Sequence, residues 1–283
     1  MPLYTGTILK RAYEERYAVP AFSVHNYAMI EAVVEEAREL QVPVLIQIGQ
    51  RAIRYGQMRS LQNHIALQAA VSPYPVVSHL DHCHDFEQII EALRAGLTSC
   101  MIDASMRTLD ENILLTRKVV EACHAVGVPV EGELGAIGGV EDDVSVADDE
   151  VVFTAPDVAE RYVRETGVDS LAVAIGSAHG MYKREPSLDL DRLAAINRHC
   201  GIPLVLHGGS GIPRWQIQKA IQFGISKINF DTELRLAYLE GLKSGCERHS
   251  DDPFQAEQIA KERLREVIRE KIHWSFPGGL VQR

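Results

Sequence analysis

The sequence predicts an α/β protein folded as a (β/α)8 TIM barrel with an extra C-terminal helix. Three observations carry that reading. Short apolar runs recur along the chain, amphipathic stretches separate them, and polar or ionisable residues stand at the ends of six consecutive runs. The runs are VPAFSV (19–24), VPVLIQI (42–48), YPVVSHL (74–80), TSCMID (98–103), VPVEGEL (128–134), SLAVAI (170–175), IPLVLH (202–207) and ISKINF (225–230). Nearly continuous apolar sequence marks a parallel strand buried on both faces. Between the runs, MIEAVVEEARELQ, DFEQIIEALRAG, DENILLTRKVVEACHAVG and RWQIQKAIQFG repeat apolar residues at helical spacing. Several of these stretches end in a glycine suited to a helix C-cap.

Eight strands alternating with helices can also form a doubly wound open sheet. That fold gathers its polar signatures at one switch point, whereas here they are spread over many strand ends. The 283 residues match the roughly 250 that one barrel needs, and no linker or repeat divides them, so residues 1–283 are expected to form a single domain. Two segments break the rhythm. Residues 135–157 (GAIGGVEDDVSVADDEVVFTAPD) are glycine-rich and acidic, and longer than a usual βα connection, which suggests a mobile loop. Residues 254–273 form a charged amphipathic helix beyond the eighth strand, placed to cover the barrel or a subunit contact.

The bulk properties narrow the partners. A formal charge of −10 and a pI near 5.6 argue against a nucleic-acid binder. No apolar run reaches membrane-spanning length, so no membrane partner is expected, and the N-terminus lacks a signal-peptide pattern. Five cysteines without a CxxC pair point to a reducing, cytoplasmic compartment.

In a barrel the strand ends carry the chemistry. Asp81-His82 follows strand three, Asp103 ends strand four and Glu133 ends strand five. Ser177-Ala178-His179-Gly180 follows strand six, and His207-Gly208-Gly209-Ser210-Gly211 ends strand seven. Asn229-Phe230-Asp231-Thr232 ends strand eight. His82, His179 and His207 therefore meet at one rim, and three imidazoles with an open position suit Zn²⁺. His25 and His84 read as decoys for that role. His79 reads either as a support for the ligands or as a polar residue of the barrel interior. Asp103 and Glu133 either bind a second cation or orient the ligands. Gly208 to Gly211, followed by Ile-Pro-Arg and a helix, offer backbone N–H groups to a phosphate, with Pro213 in the first helical turn. Lys227 is the one strand lysine. It lies at the start of strand eight, away from the rim, which disfavours a Schiff-base mechanism.

With these residues in place, HLDH (79–82), MIDAS (101–105), EGELGAIGGVEDD (131–143), AIGSAHGMY (174–182), PLVLHGGSGIP (203–213) and KINFDTELR (227–235) resemble the class II fructose-bisphosphate and tagatose-bisphosphate aldolases. PAFSVHN (20–26) matches as well. The resemblance implies a lyase of carbohydrate metabolism that cleaves a ketose bisphosphate reversibly, fructose 1,6-bisphosphate in the first instance. The expected products are dihydroxyacetone phosphate and glyceraldehyde 3-phosphate. Tagatose 1,6-bisphosphate or another ketose phosphate is the alternative, and a metal-dependent barrel hydrolase or a non-catalytic sugar-phosphate binding protein is the less favoured one. The resemblance assigns zinc to His82, His179 and His207, and a second divalent or monovalent cation to Asp103 and Glu133. It makes Asp81 the base at the C4 hydroxyl and Glu141 the acid at the three-carbon carbanion. It gives the substrate contacts to Asn26, Gly180, Gly208, Gly209, Ser210, Asn229, Asp231 and Thr232. It also implies a homodimer or homotetramer. Two positions depart from many relatives: Gly49, where a Ser or Thr is common, and Asp231, where Asn or Ala occurs in several.

Overall fold

The computed structural model describes residues 6–141, 144–146, 152–182 and 184–279. Eight parallel strands close into a barrel: Val19–Ser23, Val44–Ile48, Val76–Cys83, Ser99–Ile102, Val130–Leu134, Ser170–Val173, Leu204–Leu206 and Ile225–Phe230. Each pairs with its neighbours in chain order, and the eighth returns to the first through Val19 opposite Lys227 and Ala21 opposite Asn229. All eight apolar runs became strands because each is buried on both faces. One face packs on the helices and the other fills the barrel. The helix-facing set, which includes Phe22, Ile46, Leu80, Ile102, Leu171, Leu206 and Phe230, merges with the helices into one core.

The interior changes character along its length. At the strands' N-terminal end, Val19, Ala21, Leu45 and Val77 pack against Leu9 and Ala12 of the helix Ile8–Glu15, which plugs that end. Two residues further along the same strands, on the same inward face, stand Gln47, His79 and then Asp81.

The helices start where local chemistry provides a cap. Asp85 accepts from the Gln88 N–H at the start of Phe86–Ala95, and Thr108 with Glu111 forms a capping box for Leu109–His124. Pro213 is the residue preceding Arg214–Gln222 rather than a member of its first turn. The C-terminal helix runs over Pro253–Ser275 and packs on the helices Thr232–Arg248 and Tyr27–Leu40. Ala260, Leu264, Ile268 and Ile272 form its buried stripe. The carboxylate of Glu36, fully buried, is held by Arg265 at 2.6 Å and Arg269 at 2.9 Å.

The 135–157 segment contains more regular backbone than its sequence suggested. Gly138–Glu141 pairs antiparallel with Val144–Val146, and Ala136 bridges Val152. Gly138 and Gly139 also pair in parallel with Ala178 and His179, so the segment is tied to a strand carrying a candidate ligand. Asp142, Asp143 and residues 147–151 lie outside the described residues. No described helix is long and apolar enough to cross a membrane.

Candidate metal centre and phosphate cradle

The third strand bends to deliver its histidine. Its register to the fourth strand shifts between Leu80 and Cys83, and His82 adopts a positive φ of 45°. A bulge with a left-handed non-glycine residue re-aims a side chain at the expense of local strain, a combination common at functional sites. The result is that Asp81 and His82, adjacent in sequence, both reach the rim interior and are 2% and 9% exposed.

The rings of His82, His179 and His207 stand edge-on to one another, with centroids 4.7–5.8 Å apart. One nitrogen of each lies within 4.8 Å of the others. The Nε2 of His82 and the Nδ1 of His207 are 3.0 Å apart. Two nitrogens bound tetrahedrally at about 2.0–2.1 Å from zinc stand roughly 3.3 Å from each other, so small movements admit the ion. The ring nitrogens turned away from this point are occupied. His82 Nδ1 meets Asp103 Oδ2 at 3.0 Å, and His207 Nε2 meets Glu131 Oε1 at 2.9 Å. Carboxylates on the outer nitrogens of ligating histidines fix ring orientation and tautomer.

The electrostatics favour a positive charge here. Burial opposes protonation of His82, yet the charge of Asp81, the hydrogen bond and charge of Asp103, and Glu133 together push its pKa up to about 10. Burial, and then the charge on His82, hold His179 and His207 well below the usual imidazole value, which leaves them neutral as ligands must be. Burial also tends to raise the Asp103 carboxyl, but His82 and Ser105 outweigh it and hold the group ionised. Glu133, by burial first and the nearby Asp103 second, is pushed well above the carboxylate range. Its Oε2 is buried without a hydrogen-bond partner, 3.6 Å from His207 Nδ1 and 3.9 Å from His82 Nδ1. An orphaned carboxylate oxygen beside converging imidazoles fits a divalent cation such as zinc. A second cluster, His82, Asp103 and Glu133, shares one ligand with the first.

Asp81 lies beside this centre. Its Oδ1 accepts from Gln47 Nε2 at 2.7 Å and from Asn229 Nδ2 at 3.4 Å. Gln50 Nε2 donates to the Asp81 carbonyl at 3.1 Å. The residue is therefore held by three amides from the second and eighth strands and the short helix Gln50–Arg54.

The candidate phosphate cradle, Gly208 to Gly211, shares backbone with the candidate metal centre. Gly208 has a φ of 65°, and a Cβ there would collide with the Ala178 carbonyl, so only glycine lets this loop lie against the strand of His179. Tyr182 staples the two together: its hydroxyl donates to Gly208 O at 2.9 Å and accepts from Ala178 N–H at 2.8 Å. Gly209 donates its own N–H to Asn229 O at 2.9 Å, so it contributes shape rather than a free donor. Ser210 accepts from Glu233 N–H at 3.4 Å, which joins the loop to the start of Thr232–Arg248. Gly180 follows His179 with a φ of 92°. Asp231 pairs with His25 Nε2 at 2.9 Å and with Arg235 at 3.2 Å.

Four residues singled out in the sequence take definite places in the structure. Asn26 caps the helix Tyr27–Leu40 by accepting from Met29 N–H at 2.9 Å, a structural task the motif did not reveal. His84 stays at the edge, its Nδ1 on the Asp103 carbonyl, and His25 is engaged with Asp231. Glu141 ends the strand Gly138–Glu141, two residues past the Gly139–His179 pairing; its side chain lies outside the described residues. Glu131, Gln47 and Tyr182 were missed. Glu131 had a visible signal, because it stands two residues before Glu133 and so shares its inward face.

The chain matches the model of the family described as fructose-bisphosphate aldolase class-II over residues 4–277. It belongs to that family. The sulfofructosephosphate aldolase of Alkalicoccus urumqiensis is 39% identical over 268 residues, covering 94% of this chain and 93% of that one. The YdjI aldolase from Escherichia coli K12 is similar in structure with a TM-score of 0.83 at 33% identity, covering 96% and 97% of the two chains. A candidate fructose-1,6-bisphosphate aldolase from Coccidioides immitis gives a TM-score of 0.87 at 31% identity, covering 95% and 94%. The protein is thus a class II aldolase by family, with a metal-binding site consistent with a zinc-dependent lyase. Two of these relatives carry different substrate names, so family membership leaves fructose 1,6-bisphosphate with no priority over other ketose phosphates.

Proposed function

We propose that this class II aldolase cleaves a ketose 1-phosphate between C3 and C4, releasing dihydroxyacetone phosphate and an aldehyde whose far end distinguishes the substrate. The observation that carries the reading is the shared backbone of the metal centre and the phosphate cradle, through Tyr182, Ala178 and Gly208. It sets the phosphate-bearing three-carbon half at a fixed distance from the three histidines.

His82, His179 and His207 would hold the cation, and when bound it supplies Lewis acidity toward the ketose oxygens. Asp81 takes the C4 hydroxyl proton, and its orientation comes from the Gln47 and Asn229 amides. The C3–C4 bond electrons pass to C3, and Glu141 returns a proton there; the condensation direction reverses both roles. Support for Glu141 is the pairing of its strand with that of His179. The cradle anchors the C1 phosphate through Gly180, Ser210, Thr232 and the backbone N–H of Asp231 at the start of the helix Thr232–Arg248, with Gly208 and Gly209 shaping the loop. The Asp103–Glu133 pair either supports His82 or takes a further divalent or monovalent cation. The family resemblance further supports a homodimer or homotetramer in the cytoplasm.

The choice of ketose rests near Gly49 and Asp231. Gly49 precedes the helix Gln50–Arg54 at the mouth of the second strand, and Asp231 is bound to His25 and Arg235. The 39% identical relative is named for a sulfonated fructose phosphate, so a ketose phosphate other than fructose 1,6-bisphosphate is the favoured substrate.

The test incubates zinc-loaded protein with fructose 1,6-bisphosphate, tagatose 1,6-bisphosphate and 6-deoxy-6-sulfofructose 1-phosphate, following triose phosphate release. One of the alternatives to fructose 1,6-bisphosphate should be cleaved with the highest kcat/KM, and a chelator should abolish all cleavage until zinc is restored. Release of no triose phosphate from any of them, or cleavage that survives complete metal removal, would contradict the proposal.

A further inference from the structure

Beneath the rim the barrel interior holds an ion pair that the reaction does not use. Lys227 Nζ and Glu131 Oε2 are 2.8 Å apart, and both side chains are essentially inaccessible to solvent. His79 lies beside them, its Nε2 3.3 Å from Lys227 Nζ and its Nδ1 2.7 Å from Ser99 Oγ. A buried ion pair is seldom more stabilising than an apolar filling of the same volume. The neighbouring interior layer is filled by Val19, Ala21, Leu45 and Val77 of the first three strands, so an apolar filling serves the barrel interior next to the pair. Stability is a weak reason for the pair.

Its contacts point upward. Glu131 uses its second oxygen, Oε1, on His207 Nε2 at 2.9 Å. A carboxylate oxygen accepts in this contact, so His207 donates from Nε2 and turns the Nδ1 lone pair toward His82. Lys227 occupies the other oxygen and keeps Glu131 from turning away.

We propose that Glu131 and Lys227 are positioning residues for the cation site: Glu131 fixes the direction of the His207 ring as a ligand, and Lys227 holds the Glu131 carboxylate turned toward it. The inference rests on the reading of His82, His179 and His207 as the metal centre. It also accounts for Lys227 without Schiff-base chemistry, because its ammonium is committed below the rim.

The experiment measures zinc affinity by competition with a chromophoric chelator, and the unfolding temperature of the metal-free protein, for wild type, Glu131→Gln, Lys227→Met and the double variant. Removing a carboxylate behind a ligating histidine typically weakens metal binding about 10–100-fold, and Glu131→Gln should show that loss. Lys227→Met should lose a smaller factor. Each single variant strands a buried polar or charged partner and should lower the metal-free unfolding temperature. The double variant, with a neutral pair, should recover that temperature while its zinc affinity stays at the Glu131→Gln level. Recovery of wild-type zinc affinity along with stability in the double variant would show a packing role only and overturn the proposal. Unchanged zinc affinity in Glu131→Gln would do the same while leaving the metal centre intact. A wild-type protein that binds no zinc would instead overturn the centre and the inference together.

Discussion

The two ends of the barrel interior are built by the same strands and do opposite things. At the lower end Val19, Ala21, Leu45 and Val77 close against Leu9 and Ala12. One inward step further along, the second and third strands present Gln47, His79 and Asp81, and the fifth presents Glu131 and Glu133. Both regions are buried, so burial alone separates nothing. The difference lies in what satisfies the buried groups. The lower layer satisfies itself by packing, whereas the upper layer is a chain of partners: Lys227 to Glu131, Glu131 to His207, His207 to His82, and His82 to Asp103. Beside that chain lies the Glu133 Oε2, without a hydrogen-bond partner and 3.6 Å from His207 Nδ1. The lower interior can be read as stability and the upper as a site organised around a cation.

Substitutions can break this comparison. The largest effect is expected at Asp81. Replacing it with Ala should lower kcat by about 10²–10⁴-fold, the usual contribution of a positioned base, with zinc content near normal. Loss of zinc along with activity would make Asp81 part of the metal site instead. Leu45→Ala in the lower layer should reverse the pattern. It should destabilise by roughly 2–5 kcal/mol in denaturant unfolding, while kcat/KM of the folded protein stays within about twofold.

Smaller changes sharpen the boundary between the two roles. Tyr182→Phe leaves the Ala178 N–H and the Gly208 carbonyl without their bridge, a loss of about 1–2 kcal/mol. Because the bridge joins the cradle to the metal strand, KM for a ketose 1-phosphate should rise several-fold; an unchanged KM would separate the two sites. Asn26→Ala should remove a helix cap worth about 1 kcal/mol with little effect on kcat/KM. A fall in kcat/KM beyond several-fold would establish the substrate contact that its motif suggests.

The eight strands were legible because most runs are nearly continuously apolar, as burial on both faces requires, and alternate with helical stretches. The ligands were legible because each stands at the end of a separate run. Reading strand ends alone hid the layer below. Glu131 lies within its run, yet the two-residue period places it on the inward face with Glu133. The bulge at His82 left no sequence mark, since nothing in HLDHC announces a left-handed histidine. Pairing of Gly138–Glu141 with the strand of His179 was equally hidden, because glycine-rich acidic sequence reads as loop until a partner edge is known. Gln47 looked like one polar residue in an apolar strand, and only closure of the barrel brings it 2.7 Å from Asp81.

The central claim is that the upper interior is organised around a cation held by His82, His179 and His207. Anomalous diffraction at the zinc edge from crystals of the zinc-loaded protein tests it most directly. The account predicts one dominant peak within about 2.0–2.1 Å of His82 Nε2, His207 Nδ1 and a ring nitrogen of His179. A dominant peak elsewhere, or none at full zinc loading, would contradict it.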